Sequence, residues 1–331
     1  MERGIATPTA ETLLEVRNLK VYYDLSGRIV KAVDGVSLDI RKGEVVGLIG
    51  ESGCGKSTLG RAILKLLPPY AKTVSGDILF ESESLIEKDE NEMRKVRGGR
   101  ISMIFQNPTS SLNPALTVGE QISEVIRLHQ QLHRKSDVRA KVVDIVRKVG
   151  IWDAQDRLHN YPYEFSVGMR QRVMIAMAVS ANPKLVIADE PTSSLDVSVQ
   201  ARILDLLHKL REELRFSVLL ITHNIGLAAD MCDRIAIMYA GKLVECGGRH
   251  EILTKPRHRY TFALLKAVPL LHKETDALYI VKGNPPDLTD PPSGCRFHPR
   301  CDYAKGICRN SEPTLTEVER DHLVACFDPV E

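Results

Sequence analysis

Apolar residues follow two rhythms along this chain. Val45-Val46-Gly47-Leu48-Ile49, Leu185-Val186-Ile187-Ala188, Val218-Leu219-Leu220-Ile221 and Ile235-Ala236-Ile237-Met238 are solid apolar runs of strand length. The first predicts a buried strand apolar on both faces, and the others repeat its pattern. Leu14-Glu15-Val16 and Val36-Ser37-Leu38-Asp39-Ile40 instead alternate at period two, which predicts half-buried strands. Gly76-Asp77-Ile78-Leu79-Phe80 reads as a further strand, and Ala240-Gly241-Lys242 as a turn between two antiparallel strands. Helical spacing takes over from 117 to 180, for example at Val138, Val142, Ile145, Val146 and Val149. A shorter helix is expected from Thr58 to Leu67, stopped by Pro68-Pro69. The charged stretch Glu81 to Arg100 reads as solvated surface. The layout is an α/β core over residues 1–250, interrupted by a helical insertion at about 107–180. A distinct segment, 251–331, contains a stiff connector from Gly283-Asn284-Pro285-Pro286 to Pro291-Pro292. No internal repeat or low-complexity tract interrupts this plan.

Composition narrows the class. A chain of 331 residues can bury a large core and hold more than one domain. A formal net charge of +2 carries no basic field that argues for nucleic acid as principal partner. No apolar run reaches the roughly 18 residues of a membrane span, and no signal peptide opens the chain. The most apolar stretch, Val173 to Ala188, is interrupted by Asn182-Pro183-Lys184. The expectation is a chain that is soluble, or peripheral to a membrane through protein contacts.

Chemistry concentrates where the first solid strand ends. Gly50-Glu51-Ser52-Gly53-Cys54-Gly55-Lys56-Ser57 fits the phosphate-loop pattern G-x-x-x-x-G-K-[ST], with a strand before it and a helix after it. Strand, glycine loop and helix N-terminus aim several backbone N–H groups at one spot, and the helix dipole adds to the attraction for phosphate. Lys56 is expected to reach the β- and γ-phosphates of a nucleoside triphosphate, and the Ser57 hydroxyl a Mg²⁺ ion. Gly50, Ser52, Gly53, Cys54, Gly55 and Thr58 complete the expected phosphate contacts. Leu185-Val186-Ile187-Ala188-Asp189-Glu190 is an apolar strand ending in two acids, the Walker B form. Asp189 suits the Mg²⁺ shell, and Glu190 stands where it can polarise an attacking water.

Further motifs stand in a fixed order around these two: Gln106; Phe165-Ser166-Val167-Gly168-Met169-Arg170-Gln171-Arg172; Ser193-Ser194-Leu195-Asp196; and Thr222-His223. Over residues 14–250 the chain resembles the ATP-binding cassette (ABC) family. The resemblance implies a RecA-like P-loop ATPase with an antiparallel β subdomain, a helical insertion subdomain and a small cysteine-containing C-terminal extension. It matches Gln106 to the Q-loop glutamine, near the metal and the attacking water, and Ser166 to Met169 to the signature. Ser193 to Asp196, with Ser194 and Asp196 among them, match the D-loop, and His223 the switch histidine that senses the γ-phosphate. Tyr23 matches the aromatic that stacks on adenine, with Tyr22 the weaker candidate. The implied mechanism is dimeric: ATP on one cassette is closed over by the signature helix of another. Here Val167 replaces the first glycine of the family's usual signature. A β-branched residue restricts φ and brings bulk where backbone approaches phosphate. Either the loop tolerates valine or the site it completes on the partner is slow.

Phe105-Gln106-Asn107-Pro108-Thr109-Ser110-Ser111-Leu112-Asn113-Pro114 resembles the Q-loop region of oligopeptide and dipeptide importers. The tail Gly294-Cys295-Arg296-Phe297-His298-Pro299-Arg300-Cys301, with Cys308 and Cys326, resembles their C-terminal extension. That resemblance implies a second ATPase subunit, identical or paralogous, and two transmembrane permease subunits. An extracellular binding protein feeds them, and the chain sits on the cytoplasmic face of the membrane. Oligosaccharide or nickel import and a soluble ATPase acting on nucleic acid or ribosomes are the competing readings. Independently of family, Cys295, Cys301, Cys308 and Cys326 are spaced C-x5-C-x6-C-x17-C, an S₄ set that suits iron–sulfur or zinc. The wide spacing favours iron–sulfur, the resemblance adds a [4Fe-4S] centre, and zinc or free thiols are the alternatives. Cys54, Cys232 and Cys246 read as small packing residues.

Overall fold

The computed structural model describes residues 11–132, 134–193, 195–267 and 281–331. Its strands are β1 (Thr12–Leu25), β2 (Arg28–Arg41), β3 (Val45–Ile49), β4 (Ala71–Phe80), β5 (Glu83–Ser84), β6 (Ile101–Ile104), β7 (Leu185–Asp189), β8 (Ser217–Thr222), β9 (Arg234–Tyr239), β10 (Lys242–Gly248), β11 (Thr316–Glu319) and β12 (His322–Val324). One sheet runs β11-β12-β10-β9-β3-β8-β7-β6, the other β2-β1-β4-β5. The solid apolar runs occupy the middle of the larger sheet, where β3 lies parallel to both β8 and β9, and β7 parallel to β6 and β8. Their side chains leave alternately on two sides. Val45, Ile49, Val186, Ala188, Val218 and Leu220 enter one apolar core, and Val46, Leu48, Leu185, Ile187, Leu219 and Ile221 the other. With both faces covered, the runs are apolar throughout, and Asp189, Ser217, Thr222 and Arg234 stand at the ends of their strands.

The second core lies beneath the antiparallel sheet, whose long hairpin turns Leu14, Val16, Val36, Leu38 and Ile40 inward onto Leu59 and Ile63 of the helix Lys56–Ile63. The first core extends into the helical insertion, built on Val118–His129, Lys135–Lys148 and Val167–Val179. All five positions read as a helical stripe, Val138 to Val149, are buried there. Thr117 and Glu120 close a capping box that starts the first of these helices.

Three expectations change. The helix after the phosphate loop ends at Ile63, ahead of Pro68, because Arg97 Nε takes the Leu64 carbonyl at 2.7 Å and Lys65 turns to positive φ. Glu81 to Arg100 is not solvated surface throughout. It holds a helix, Glu90–Val96, with an Asp89/Glu92 capping box, and Leu85, Met93 and Val96 are buried. Its charges pair instead of merely solvating, since Glu81 accepts from Arg100 at 2.6 Å and from Lys184 at 2.5 Å. The connector is also a contact, for Lys31 N–H of β2 donates to the Leu288 carbonyl at 2.9 Å. Beyond it, β12 pairs with β10 at Glu245–Val324 and Cys246–Leu323, so the C-terminal hairpin extends the main sheet.

Candidate nucleotide-hydrolysis site

The site stands at the C-terminal ends of β3, β7 and β8, where a parallel sheet leaves an open crevice. The loop after β3 packs so closely that glycine is obligatory at its ends. A Cβ on Gly50 would lie 2.1 Å from the Met238 carbonyl, and one on Gly55, at φ 105°, 1.9 Å from that of Ala32. Lys56 curls back over this loop, its Nζ donating to the carbonyls of Gly50 at 2.7 Å and Glu51 at 2.9 Å. The Ser57 hydroxyl donates to Asp189 Oδ1 at 2.7 Å, which joins the helix start to the end of β7. Asp189 is 1% exposed, and burial pushes its pKa up against the Ser57 hydrogen bond. A desolvated carboxylate beside a hydroxyl is a hard-oxygen pair that fits Mg²⁺.

Glu190 begins the turn after β7 at φ 46°. Its two carboxylate oxygens are gripped separately: Gln106 Nε2 donates to one at 2.9 Å, and His223 Nδ1 lies 3.1 Å from the other. Two motifs far apart in sequence thus converge on the carboxylate of a third. Gln106 joins Glu190 rather than the Ser57–Asp189 pair. The crevice is a cavity of about 570 Å³ lined by Ser52, Gly53, Gly55, Lys56, Ser57, Thr58, Gln106 and Glu190. At its other end are Tyr23, Leu25, Val30, Tyr70 and Leu288. Tyr23 is bonded through its hydroxyl to Thr58 at 2.9 Å, and its ring centroid is 5.9 Å from that of Tyr70. Tyr22 points elsewhere, donating to Asp34 at 2.6 Å; burial and that carboxylate push its phenol up to about 12. Gly50 and Cys54 sit behind the loop rather than in the cavity wall, Cys54 with its thiol buried against Lys56. Tyr70 and Leu288 were not legible as wall residues. Tyr70 follows a proline pair that signalled only a helix stop, and Leu288 lies in the connector.

The signature lies away from this cavity. Ser166 caps the helix Val167–Val179, its Oγ accepting from Met169 N–H at 3.3 Å, and none of Ser166, Val167, Gly168 or Met169 lines the crevice. Val167 occupies the first helical turn without positive φ and is 41% exposed, so valine costs this backbone nothing. Asp196 caps the following helix, Val197–Leu214, by accepting from Val199 N–H at 3.0 Å. Ser193 Oγ donates back to the Glu190 carbonyl at 3.2 Å, while Ser194 lies outside the described residues.

The metal expectation at the C-terminus is not supported. Cys295, Cys301, Cys308 and Cys326 gather, for Cys295 N–H donates to the Cys308 carbonyl at 2.8 Å and the thiols feel one another's charge. Yet among the described residues no group of three or more His, Cys, Asp or Glu is placed to hold a metal ion. The four are free thiols, and burial pushes the thiols of Cys295, Cys301 and Cys326 up, that of Cys295 to about 11. His298 bonds the Cys295 carbonyl at 2.9 Å and serves the loop.

A phosphate cradle on a parallel sheet, with a buried acid pair and a gripped carboxylate beside it, defines a nucleotide-hydrolysing cassette. The ABC transporter family model matches residues 33–193, and the model for the oligopeptide/dipeptide transporter C-terminal region matches 244–308. The dipeptide transport ATP-binding protein DppD of Bacillus subtilis (strain 168) is 46% identical over 96% of this chain and 95% of its own length. The oligopeptide transport ATP-binding protein OppD of Escherichia coli (strain K12) is 42% identical over 99% and 96%. Among solved structures, a dimeric post-hydrolysis state of the cassette MJ0796 bound to ADP and Pi superposes with a TM-score of 0.64. It is 28% identical and covers 72% of this chain and 99% of that one. The chain belongs to the ABC transporter family, in the branch of ATP-binding subunits that carry the oligopeptide/dipeptide transporter C-terminal region. Its activity is ATP hydrolysis coupled to transport.

Proposed function

We propose that this chain powers oligopeptide or dipeptide import, with Glu190 as the group that polarises the attacking water. The grip of Gln106 and His223 on the two oxygens of Glu190 carries this reading. A carboxylate held on both sides keeps its lone pairs aimed and meets the γ-phosphate without reorganising. Lys56 leaves the loop carbonyls for the β- and γ-phosphates, where its ammonium neutralises charge that builds in transfer. Ser57 and Asp189 would hold Mg²⁺, which supplies charge neutralisation on the phosphate oxygens when bound. Tyr23, beside Tyr70, offers a ring to the base. Ser166 to Met169 serve the nucleotide of a facing cassette through the N-terminus of their helix, and Asp196 belongs to the D-loop between the two sites. The dimeric state of MJ0796 supports this two-chain reading.

The names of DppD and OppD support peptide as cargo, and the family supports a second ATPase subunit, two membrane permeases and indirectly a binding protein. Among the described residues no helix is long and apolar enough to cross a membrane. Docking on the cytoplasmic face through the permeases is therefore the placement we infer. We treat residues 1–250 as the motor and 251–331 as a segment built onto its sheet. The finer reading of that segment, an iron–sulfur or zinc centre, is supported by the gathering of four thiols. The missing ligand arrangement weighs against it. Metal analysis and visible absorbance of anaerobically purified protein decide: about four irons per chain establish a cluster, and colourless metal-free protein removes it.

The functional test is Glu190→Gln in the assembled transporter. ATP turnover is expected to fall by about 100- to 1000-fold while ATP still binds. Turnover within twofold of wild type contradicts the assignment. Transport assays with di- and oligopeptides, oligosaccharides and nickel separate the cargo readings.

A further inference from the structure

Glu51 fills a variable position of the phosphate-loop pattern, yet it is the most tightly held residue of that loop. Arg300 Nη1 donates to both of its carboxylate oxygens, at 2.8 and 3.1 Å, and to the Tyr239 hydroxyl at 3.2 Å. Tyr260, fully buried, accepts from the Glu51 N–H at 3.2 Å. The Glu51 carbonyl in turn accepts from Lys56 Nζ at 2.9 Å. Arg300 is itself fixed, its Nε donating to the Lys282 carbonyl at 2.8 Å and its side chain only 7% exposed. Partial desolvation strengthens such a charge-assisted contact over a surface pair. Both Arg300 and Tyr260 belong to the C-terminal segment, some 200 residues or more from the loop they hold.

We propose that Arg300 and Tyr260 are positioning residues for ATP. They fix Glu51 and, through its backbone, the starting place of the Lys56 ammonium, so the C-terminal segment sets nucleotide affinity from within the same chain. The proposal rests on the reading of Lys56 as phosphate ligand. Desolvation and geometry make the coupling specific: one guanidinium spans the Glu51 carboxylate and the Tyr239 phenol together, whereas an unpaired Glu51 would leave a loose anion on the loop over which Lys56 folds.

The test is the split between KM and kcat for ATP in the assembled transporter. Arg300→Gln is expected to raise KM about three- to tenfold with kcat within about twofold. Arg300→Lys recovers part of that loss. Glu51→Gln combined with Arg300→Gln is no worse than Arg300→Gln alone, because one contact is removed in both. Tyr260→Phe gives a smaller rise. Asp328→Asn loosens the same segment by releasing Arg259 and Lys305 without touching the loop; its KM is expected to stay at the wild-type value even where Tm falls. If Arg300→Gln fails to fold, the decisive variant is Glu51→Lys paired with Arg300→Glu, expected to restore KM that either exchange alone raises. A wild-type KM for Arg300→Gln, or an equal rise in Asp328→Asn, overturns the proposal. Absence of ATP turnover in the wild-type transporter overturns the underlying functional reading instead.

Discussion

The two ends of the nucleotide machinery are held in opposite ways. At the phosphate-loop end every functional side chain has a partner within the chain: Lys56 on its loop, Ser57 on Asp189, Glu190 between Gln106 and His223. At the signature end, Ser166 caps its own helix and Val167 faces outward at 41% exposure. One end is assembled, the other is presented. On the function we propose, this chain carries the chemistry for its own nucleotide and lends only a helix terminus to another's.

That contrast breaks most visibly at Ser166. Ser166→Arg puts a cation and bulk at the presented helix end and is expected to lower turnover of the assembled transporter about 100-fold. Equilibrium binding of ATP to the isolated chain stays unchanged. Weakened binding in the isolated chain would mean that the two ends are not separate.

A middle-sized effect concerns stability and the C-terminal segment that braces the loop. His258 is fully buried; burial lowers its pKa to about 4 against the usual 6.5, with Glu245 opposing the shift. A depressed histidine means that the unfolded chain takes the proton first. The stability is therefore present above pH 6.5 and lost progressively as pH falls toward 4. The loss amounts to at most about 3 kcal/mol. Chemical denaturation at pH 7 and pH 4.5 measures it, and His258→Asn should flatten that part of the profile. An equally steep profile in the variant removes His258 as the cause.

The smallest effect is expected at Val167. Its backbone is helical, so glycine has no strain to relieve, and Val167→Gly should change transporter turnover by less than about twofold. A several-fold gain would show that side-chain bulk at the facing phosphate is what limits the rate.

Most of this site was legible because its chemistry forces local sequence patterns. A phosphate cradle needs glycines at Gly50 and Gly55, where any Cβ would strike backbone, and a buried central strand must read as an unbroken apolar run. The helical stripe from Val138 to Val149 was legible for the same reason, since one face alone meets the core. What stayed hidden depends on distant partners. The helix Glu90–Val96 is too short for periodicity to register, although its Asp89/Glu92 capping box was readable. Leu288 and Tyr70 gain meaning only when the connector and the loop before β4 close on Tyr23. Arg300 read as part of a cysteine motif, whereas the structure joins it to Glu51. The cysteine spacing misled in the other direction: four thiols gather without becoming a ligand set among the described residues.

In the function we propose, the assembled phosphate-loop end is completed by a presented helix from another chain. Sedimentation of full-length Glu190→Gln chain, with and without ATP and with the transporter's companion cassette present, tests it most directly. Pairs are expected to form only with ATP and to be abolished when both members also carry Ser166→Arg or its equivalent. A Glu190→Gln chain that binds ATP yet sediments as a single chain in every mixture would contradict it.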